Sequence, residues 1–455
     1  MLTYATAVQH LYSLGHELAS PKPRRFDLAH MRAMVEALGH PEREFKSILI
    51  AGTNGKGSTS ATLAAILQAA GYRAALYTSP HLVRINERIR VDGAPIADSD
   101  FTAAYDRVQT VATRLVERGV LPQAPSFFEM LTAMAFAHFA SAGVEIAVLE
   151  VGMGGRLDAT NIVEPALSVI TDIALDHQQY LGNTVTEIAH EKAGIIRENG
   201  VVVTLPQHPE ANDVIGNTIL ERHARGVNAT QYVPNISPGA MKFEHLRPNA
   251  VQMGHFLRNR YFLEVMDEAV LLESPLIGRH QVRNLALAIA TAVELNQHGF
   301  TITPQHISAG VRDTDWPGRF QFIFGGTDHR DYILDVAHNP AGAWALRSAL
   351  SENFEDRPIT FVFGAMRDKA VREMAEILFP ITEHVVVTQA EGHPRAASPD
   401  EICSLAPHGT DLHTAPNVAA ALVKAQELTP RDGLVVVTGS IYIVGEALHL
   451  LRPED

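Results

Sequence analysis

The chain has 455 residues, 46% of them apolar, and its 37 Lys and Arg against 51 Asp and Glu give a formal net charge of −14. That length exceeds what one hydrophobic core usually supports, and the acidic balance argues against non-specific nucleic-acid binding and against a membrane-surface protein. The single cysteine, Cys403, rules out an intramolecular disulfide and a cysteine-based zinc site, and no apolar run reaches membrane length, so a cytoplasmic protein with no membrane partner is predicted.

The N-terminal "MLTYATAVQHLYSLGHELAS" mixes His and Glu into a helical pattern, unlike an export leader. Apolar, β-branched runs then alternate with polar or amphipathic stretches: "SILIAG", "AALYT", "EIAVLEVG", "ALSVITDI" and "VVVTL". This alternation predicts βαβ units and a mainly parallel sheet in an α/β fold. Residues 206–275 are rich in Asn, Pro and His and are read as sheet edge and loops of the same domain. "RNLALAIATAVELNQHG" has helical spacing, and "TITPQHISAGVRDTDWPGRFQ" is broken by Pro and Gly. The alternation restarts with "YILDVAHN", "ITFVFGA", "HVVVTQ" and "LVVVTGS", separated by helical stretches near 341–351, 368–378 and 417–427. The expected division is a first domain over 1–297, a linker over 298–315 and a smaller α/β domain over 316–455. There is no tandem repeat and no low-complexity tail.

The first chemical signal is "AGTNGKGST", residues 51–59, between the apolar run Ile48–Ala51 and a helical pattern through Leu63, Ile66, Leu67 and Ala70 that Gly71 can stop. A glycine-rich turn opening a helix after a strand is what a phosphate-binding loop needs. Backbone N–H groups and the helix N-terminus face the anion, and Lys56 adds charge for the β/γ-phosphates. Two positions depart from the common G-x-x-x-x-G-K-[ST] spelling: Ile50 stands at the first glycine, and Gly57 follows Lys56, moving the hydroxyls to Ser58 and Thr59. The competing reading is a capped helix start with a solvated lysine.

Downstream, "LEVGMGGRLDATN" (149–161) is glycine-rich but is followed by a loop-like stretch, which argues against a dinucleotide fingerprint. Its Glu150 stands at a strand end, where carboxylates often hold magnesium. "SVITDIALDHQQYLG" supplies Asp176 and His177, and "IAHEKAGII" places Lys192 on a helix. Taken singly, His177 also suits capping or packing, and Lys192 suits a surface pair with Glu191.

Together with the loop, "SPHLVRINERI", "SFFEMLTAMAF", "LEVGMGGRLDATN", "DHQQYLG", "EKAGII", "HQVRN", "WPGRF", "DVAHNP" and "TGSIYIVGE" form an ordered series from 51 to 446. In content, order and spacing the series resembles the folylpolyglutamate synthase/dihydrofolate synthase family, relatives of the Mur ligases. Both departures in the loop are that family's normal spelling, whereas Met153 and Val336 stand where Leu and Gly are common. The resemblance implies a P-loop-containing, Mur-ligase-like ATP-binding domain followed by a Rossmann-like glutamate-ligase domain. It implies that Thr53, Asn54, Gly55, Lys56, Gly57, Ser58 and Thr59 bind ATP together with Asn284, Arg319, Asp335 and His338, the last two reaching over from the second domain. It also implies that Ser79, Glu150 and His177 hold two Mg2+ ions with a carbamylated Lys192. Ser126, Phe127, Phe128 and Glu129, with Leu157, Asp158 and Ala159, look like the pterin contacts.

The implied reaction is ATP-driven amide formation through an acyl phosphate, joining L-glutamate to dihydropteroate or a reduced folate, with Lys56, His177 and Lys192 as the catalytic set in a monomer. Two rivals remain at this level. A Mur-type peptide ligase shares the loop and lysine, although about 50 residues before the loop leave little room for a separate nucleotide-sugar domain. A non-catalytic nucleotide-binding module would bind ATP without glutamate-dependent ADP release.

Overall fold

The computed structural model describes residues 2–15, 27–235, 258–325 and 330–452. The chain divides into two compact units: Met1–Val233 with Leu263–Val270 and Arg283–Asp313, and Pro234–Phe262 with Leu271–Val282 and Thr314–Asp455.

The first unit opens with helices α1 (Tyr4–Ser13) and α2 (Ala29–Leu38). Strand β1 (Lys46–Ala51) leads into α3 (Lys56–Ala69), followed by β2 (Ala74–Tyr77), β3 (Ile89–Val91) and β4 (Ala94–Pro95). Next come α4 (Asp98–Glu117), α5 (Phe127–Ser141), β5 (Ile146–Glu150), β6 (Leu167–Ile170), α6 (Gln178–Leu181) and α7 (Val185–Ala193). β7 (Val201–Thr204), α8 (Pro209–Glu221) and β8 (Arg225–Asn228) complete the sheet. Its order is β4-β3-β2-β5-β1-β6-β7-β8, with all neighbours parallel from β2 to β8 and β3 and β4 antiparallel at one edge.

β1 lies between β5 and β6, and Ile48, Leu49, Ile50 and Ala51 are fully buried, as the uninterrupted apolar run requires of a strand covered on both faces. On one face α5 inserts Phe127, Met130, Leu131, Met134, Phe136 and Phe139 into the core. Burying side chains of this size contributes at most about 2–3 kcal/mol each, which outweighs any preference of the short strands for themselves.

Of the 206–275 stretch, residues up to Asn228 form α8 and the edge strand β8, as the sheet-edge reading expected. Residues 236–257 lie outside the described residues. β9 (Asn259–Val265) and β10 (Glu268–Ser274) form a separate two-stranded sheet, and its outer parts group with the second unit rather than the first. Helix α9 (Arg279–Leu295) follows. The 298–315 stretch contains α10 (Pro304–Arg312), in which Pro304 occupies the first turn and Thr303 caps the helix. Gly310 lets α10 lie directly on α3, since a Cβ there would stand 2.3 Å from the Ile66 Cα.

The second unit contains β11 (Gln321–Ile323), β12 (Asp331–Leu334), α11 (Pro340–Asn353), β13 (Ile359–Phe363), α12 (Val371–Leu378), β14 (His384–Val387) and α13 (Pro399–Leu405). β15 (Leu412–Thr414), α14 (Val418–Leu428), β16 (Leu434–Thr438) and α15 (Ile441–Leu451) follow. The sheet order β11-β12-β16-β13-β14-β15 is parallel except for β11, so this unit is also the expected α/β layer structure. Among the described residues no helix is long and apolar enough to cross a membrane.

Candidate active site

Several signal residues of the first unit follow strand ends, where α/β sheets gather ligands: the loop after β1, Ser79 after β2, Glu150 at the end of β5 and His177 after β6. Ser126–Glu129, Lys192 and Asn284 come instead from the start of α5, from α7 and from α9. β1 ends at Ala51, and the turn Gly52–Gly55 delivers the chain to α3, whose N-cap is Gly55 at φ +89°. A Cβ on Gly55 would stand 2.1 Å from the Asn284 Oδ1, so only glycine lets α9 bring Asn284 against the loop. The Thr59 Oγ1 donates to the Asn284 carbonyl at 3.4 Å.

The loop is held from below. Thr53 and Asn54 donate their N–H groups to the Asp172 carbonyl at 2.9 and 3.1 Å. The Asp172 carboxylate is itself gripped by both arms of Arg283, at 3.1 Å from Nε and 2.7 Å from Nη2. Arg283 directly precedes Asn284, so this fork fixes the start of α9 relative to the loop.

The two lysines of the sequence signature meet at one atom. Lys56 Nζ donates to the carbonyls of Gly52 and Thr53 at 3.1 and 3.2 Å, and Lys192 Nζ, 4% exposed, donates to the same Gly52 carbonyl at 2.7 Å. Burial, reinforced by the neighbouring Lys56 and opposed by Asp176 and Asp158, lowers the Lys192 pKa from 10.5 to about 7. The amine is thus poised between its two protonation states near neutral pH.

Glu150 ends β5 and is buried, and its Oε2 accepts the Ser79 N–H at 3.2 Å, which joins two of the expected metal ligands. His177 stands after β6 in a left-handed conformation at φ +51°, with its N–H on the Asp176 carboxylate at 2.8 Å. A non-glycine residue held there is uncommon.

Around the start of α5, Ser126 is the N-cap and Glu129 its reciprocal partner. Ser126 N and Oγ both donate to Glu129 Oε2 at 2.6 Å, and Glu129 N donates to Ser126 Oγ at 3.2 Å. These two residues therefore serve the helix terminus first. Phe127 is buried, stacked on Tyr12 at 5.7 Å between ring centroids, with the Arg88 guanidinium over its ring at 5.3 Å. Phe128 packs its ring against Gly152, where a Cβ would stand 2.6 Å from it. Asp158 is buried and uses its carboxylate on Thr160 and on the Met153 N–H, which shapes the "GMGGR" turn, while Ala159 is buried beside it and Leu157 is half-buried. Burial pushes the Asp158 carboxyl upward against those hydrogen bonds.

Arg319, Asp335 and His338 belong to the second unit. Buried Asp335 accepts the N–H groups of Phe320 and Ala337, both at 2.9 Å, and so ties the "WPGRF" turn to the end of β12. Burial raises its carboxyl pKa, with Arg319 the leading opposing influence. The Arg319 guanidinium lies 5.9 Å from the centre of the Trp316 ring, and the His338 Nδ1 pairs with the Val336 carbonyl at 2.9 Å.

Several residues escaped the sequence reading. His81 accepts from Arg88 Nε through Nδ1 at 2.8 Å and meets the Tyr12 hydroxyl through Nε2 at 3.4 Å. Burial, and then Arg88, lower its pKa to about 3, so it is a neutral connector. His81 and Arg88 both lay within the quoted "SPHLVRINERI", and Arg283 within "HQVRN"; position inside a signature block was the signal available.

Comparison with known proteins bears on this arrangement. The Mur ligase middle domain matches residues 94–292, and the Mur ligase glutamate ligase domain matches residues 318–441. A dihydrofolate synthase/folylpolyglutamate synthase of Bacillus subtilis is 33% identical over 431 residues, covering 93% of this chain and 95% of its own. The chain belongs to the folylpolyglutamate synthase/dihydrofolate synthase family. Among solved structures of that family, Mycobacterium tuberculosis folylpolyglutamate synthase complexed with ADP and AMPPCP superposes with a TM-score of 0.82 at 31% identity, covering 98% of this chain and 99% of its own. An Escherichia coli relative in complex with DHPP and ADP gives a TM-score of 0.80 at 27% identity, covering 99% and 98%. Family membership thus rests on the whole length of the chain, including both units and the loop.

Proposed function

We propose that this chain is an ATP-dependent ligase that joins L-glutamate to dihydropteroate, to a reduced folate, or to both, through an acyl phosphate. The observation that carries the reading is the meeting of Lys56 and Lys192 on the Gly52 carbonyl, at the root of a loop that opens a helix, in a chain of this family. The first turn of α3 offers backbone N–H groups to phosphate oxygens, and Lys56 moves from the loop carbonyls onto the β/γ-phosphates. A substrate carboxylate oxygen attacks the γ-phosphorus in line and ADP leaves. The glutamate nitrogen then attacks the acyl carbon, phosphate departs, and the nitrogen loses its proton.

The remaining assignments belong to the same proposal. Thr53, Asn54, Gly55, Gly57, Ser58, Thr59 and Asn284 surround the nucleotide, and Arg319, Asp335 and His338 contribute from the second unit. Ser126 through Glu129 and Leu157 through Ala159 contact the pterin acid. Ser79, Glu150 and His177 would hold two Mg2+ ions with Lys192. A buried carboxylate and a hydroxyl are hard oxygen donors that fit this ion, and bound magnesium would neutralise charge on the phosphates. The lowered pKa of Lys192 supports a carbamate there, because the neutral amine is the form that adds CO2, releasing one proton. We place the ATP-binding domain at 1–297 and the glutamate-ligase domain at 316–455, in a monomer acting in the cytoplasm.

The test is incorporation of labelled glutamate by purified protein with ATP and Mg2+, offering dihydropteroate and tetrahydrofolate separately while following ADP. ADP is expected only when a pterin acid and glutamate are both present. No incorporation with either acid would overturn the proposal.

A further inference from the structure

The far edge of the second unit carries a cluster that the ligase chemistry does not use. In the register of β14 and β15, Val385 pairs with Leu412 and Val386 with His413, so His384 stands opposite Asp411 one step earlier. Side chains alternate along a strand, which puts His384, Asp411 and His413 on one face of adjacent strands. The backbone fixes them there: Val385 N donates to the Asp411 carbonyl at 3.0 Å, and Thr382 Oγ1 donates to the His384 carbonyl at 2.8 Å.

The three side chains point at a common centre. His384 Nδ1 lies 2.6 Å and His413 Nε2 lies 3.3 Å from the same oxygen, Asp411 Oδ2, and the imidazoles meet edge-on at 5.9 Å. All three donor atoms fall within 4.8 Å of one another. Both rings are about three-quarters covered, whereas the Asp411 side chain is more than half exposed, so the centre opens to water on one side.

We propose that His384, Asp411 and His413 form a surface site for a divalent transition-metal ion of the zinc type. Two imidazoles and one carboxylate, with an open fourth position, are the donor set of a tetrahedral zinc ion and a poor one for magnesium, which prefers oxygen throughout. Bonds of about 2.0–2.1 Å to such an ion set tetrahedral ligand separations near 3.3 Å. The His413–Asp411 pair already has that spacing, and the His384–Asp411 pair needs to widen by well under an ångström. Each imidazole must turn a lone pair, rather than an N–H, toward the centre, and a shift of tautomer provides this with no change of charge. The ion would cross-link β14 to the three-residue strand β15, which among the described strands pairs with β14 alone.

The test is calorimetric titration of the purified protein with Zn2+ in excess Mg2+, paired with thermal unfolding, on wild type, His413→Ala, Asp411→Asn and Glu150→Gln. Wild type and Glu150→Gln are expected to bind one equivalent at this site with matching affinity. His413→Ala and the isosteric Asp411→Asn are expected to bind it at least tenfold more weakly and to lose the rise in melting temperature that Zn2+ gives wild type. Equal binding by all four proteins, selective loss in Glu150→Gln, or no binding to wild type would each overturn the site.

Discussion

Lys192→Met should raise stability and abolish turnover at once. Lys192 carries an ammonium whose pKa falls from 10.5 to about 7 on folding, chiefly through burial and then through Lys56. The unfolded chain keeps the ordinary value, so the folded state resists a proton that the unfolded state accepts. The penalty is complete below the folded pKa of about 7 and fades as pH rises toward 10.5. At about 1.4 kcal/mol for each tenfold step, it amounts to about 5 kcal/mol. Methionine fills similar volume without charge but loses the hydrogen bond to the Gly52 carbonyl, worth about 1 kcal/mol. The net expectation is a gain of about 3–4 kcal/mol near pH 6, shrinking to nothing or slightly below at strongly alkaline pH.

Urea unfolding of metal-free, CO2-depleted protein from about pH 6 to 9 reads the stability directly, and glutamate-dependent ADP release reads the function, which should fall by about a hundredfold or more. In wild type supplied with bicarbonate, turnover should rise through neutral pH as the amine loses its proton. A variant less stable than wild type at the acid end, or a difference that does not shrink as pH rises, would refute the picture of a desolvated cation under the loop.

Three further outcomes follow from the geometry. His81 has a pKa lowered to about 3 by burial and then Arg88, so it contributes stability above about pH 6.5 that is lost as pH falls toward 3; His81→Gln should flatten the acid limb of a pH–stability curve. Gly310→Ala drives a methyl to 2.3 Å from the Ile66 Cα and should cost about 2 kcal/mol or more in chemical denaturation, because two helix backbones must part. Arg283→Lys keeps the charge but loses the two-pronged grip on Asp172; KM for ATP should rise several-fold with a smaller change in kcat, and an unchanged KM would remove Arg283 from the support of the loop.

The strand, loop and helix at 48–70 were legible in the sequence because each signal is local: an apolar run, a glycine turn and a spaced apolar pattern. The order of the blocks identified the family, and the two α/β layers followed from alternation. What stayed hidden depends on distance along the chain. Nothing near Lys192 says that it meets Lys56 on a carbonyl 140 residues away, and nothing near Asp172 says that Arg283, 111 residues on, will grip it.

Two stretches show how one residue type can serve a structural purpose beside the one read from the sequence. In 298–315, Pro and Gly were taken as breakers, yet Pro304 begins α10 and Gly310 is where that helix touches α3. In "SFFE", Ser126 and Glu129 were read toward a substrate, yet their S-x-x-E spacing is itself a helix-capping signal, and each already hydrogen-bonds the other's backbone. A polar residue satisfied in this way is a fixed dipole at the helix start rather than a free hand. Any contact it makes with a pterin is therefore pre-oriented, and mutating it disturbs the α5 terminus along with the site. Ser126→Ala should accordingly lower stability by about 1 kcal/mol as well as weaken substrate binding, whereas a substitution in Phe128 should move binding with the cap left intact.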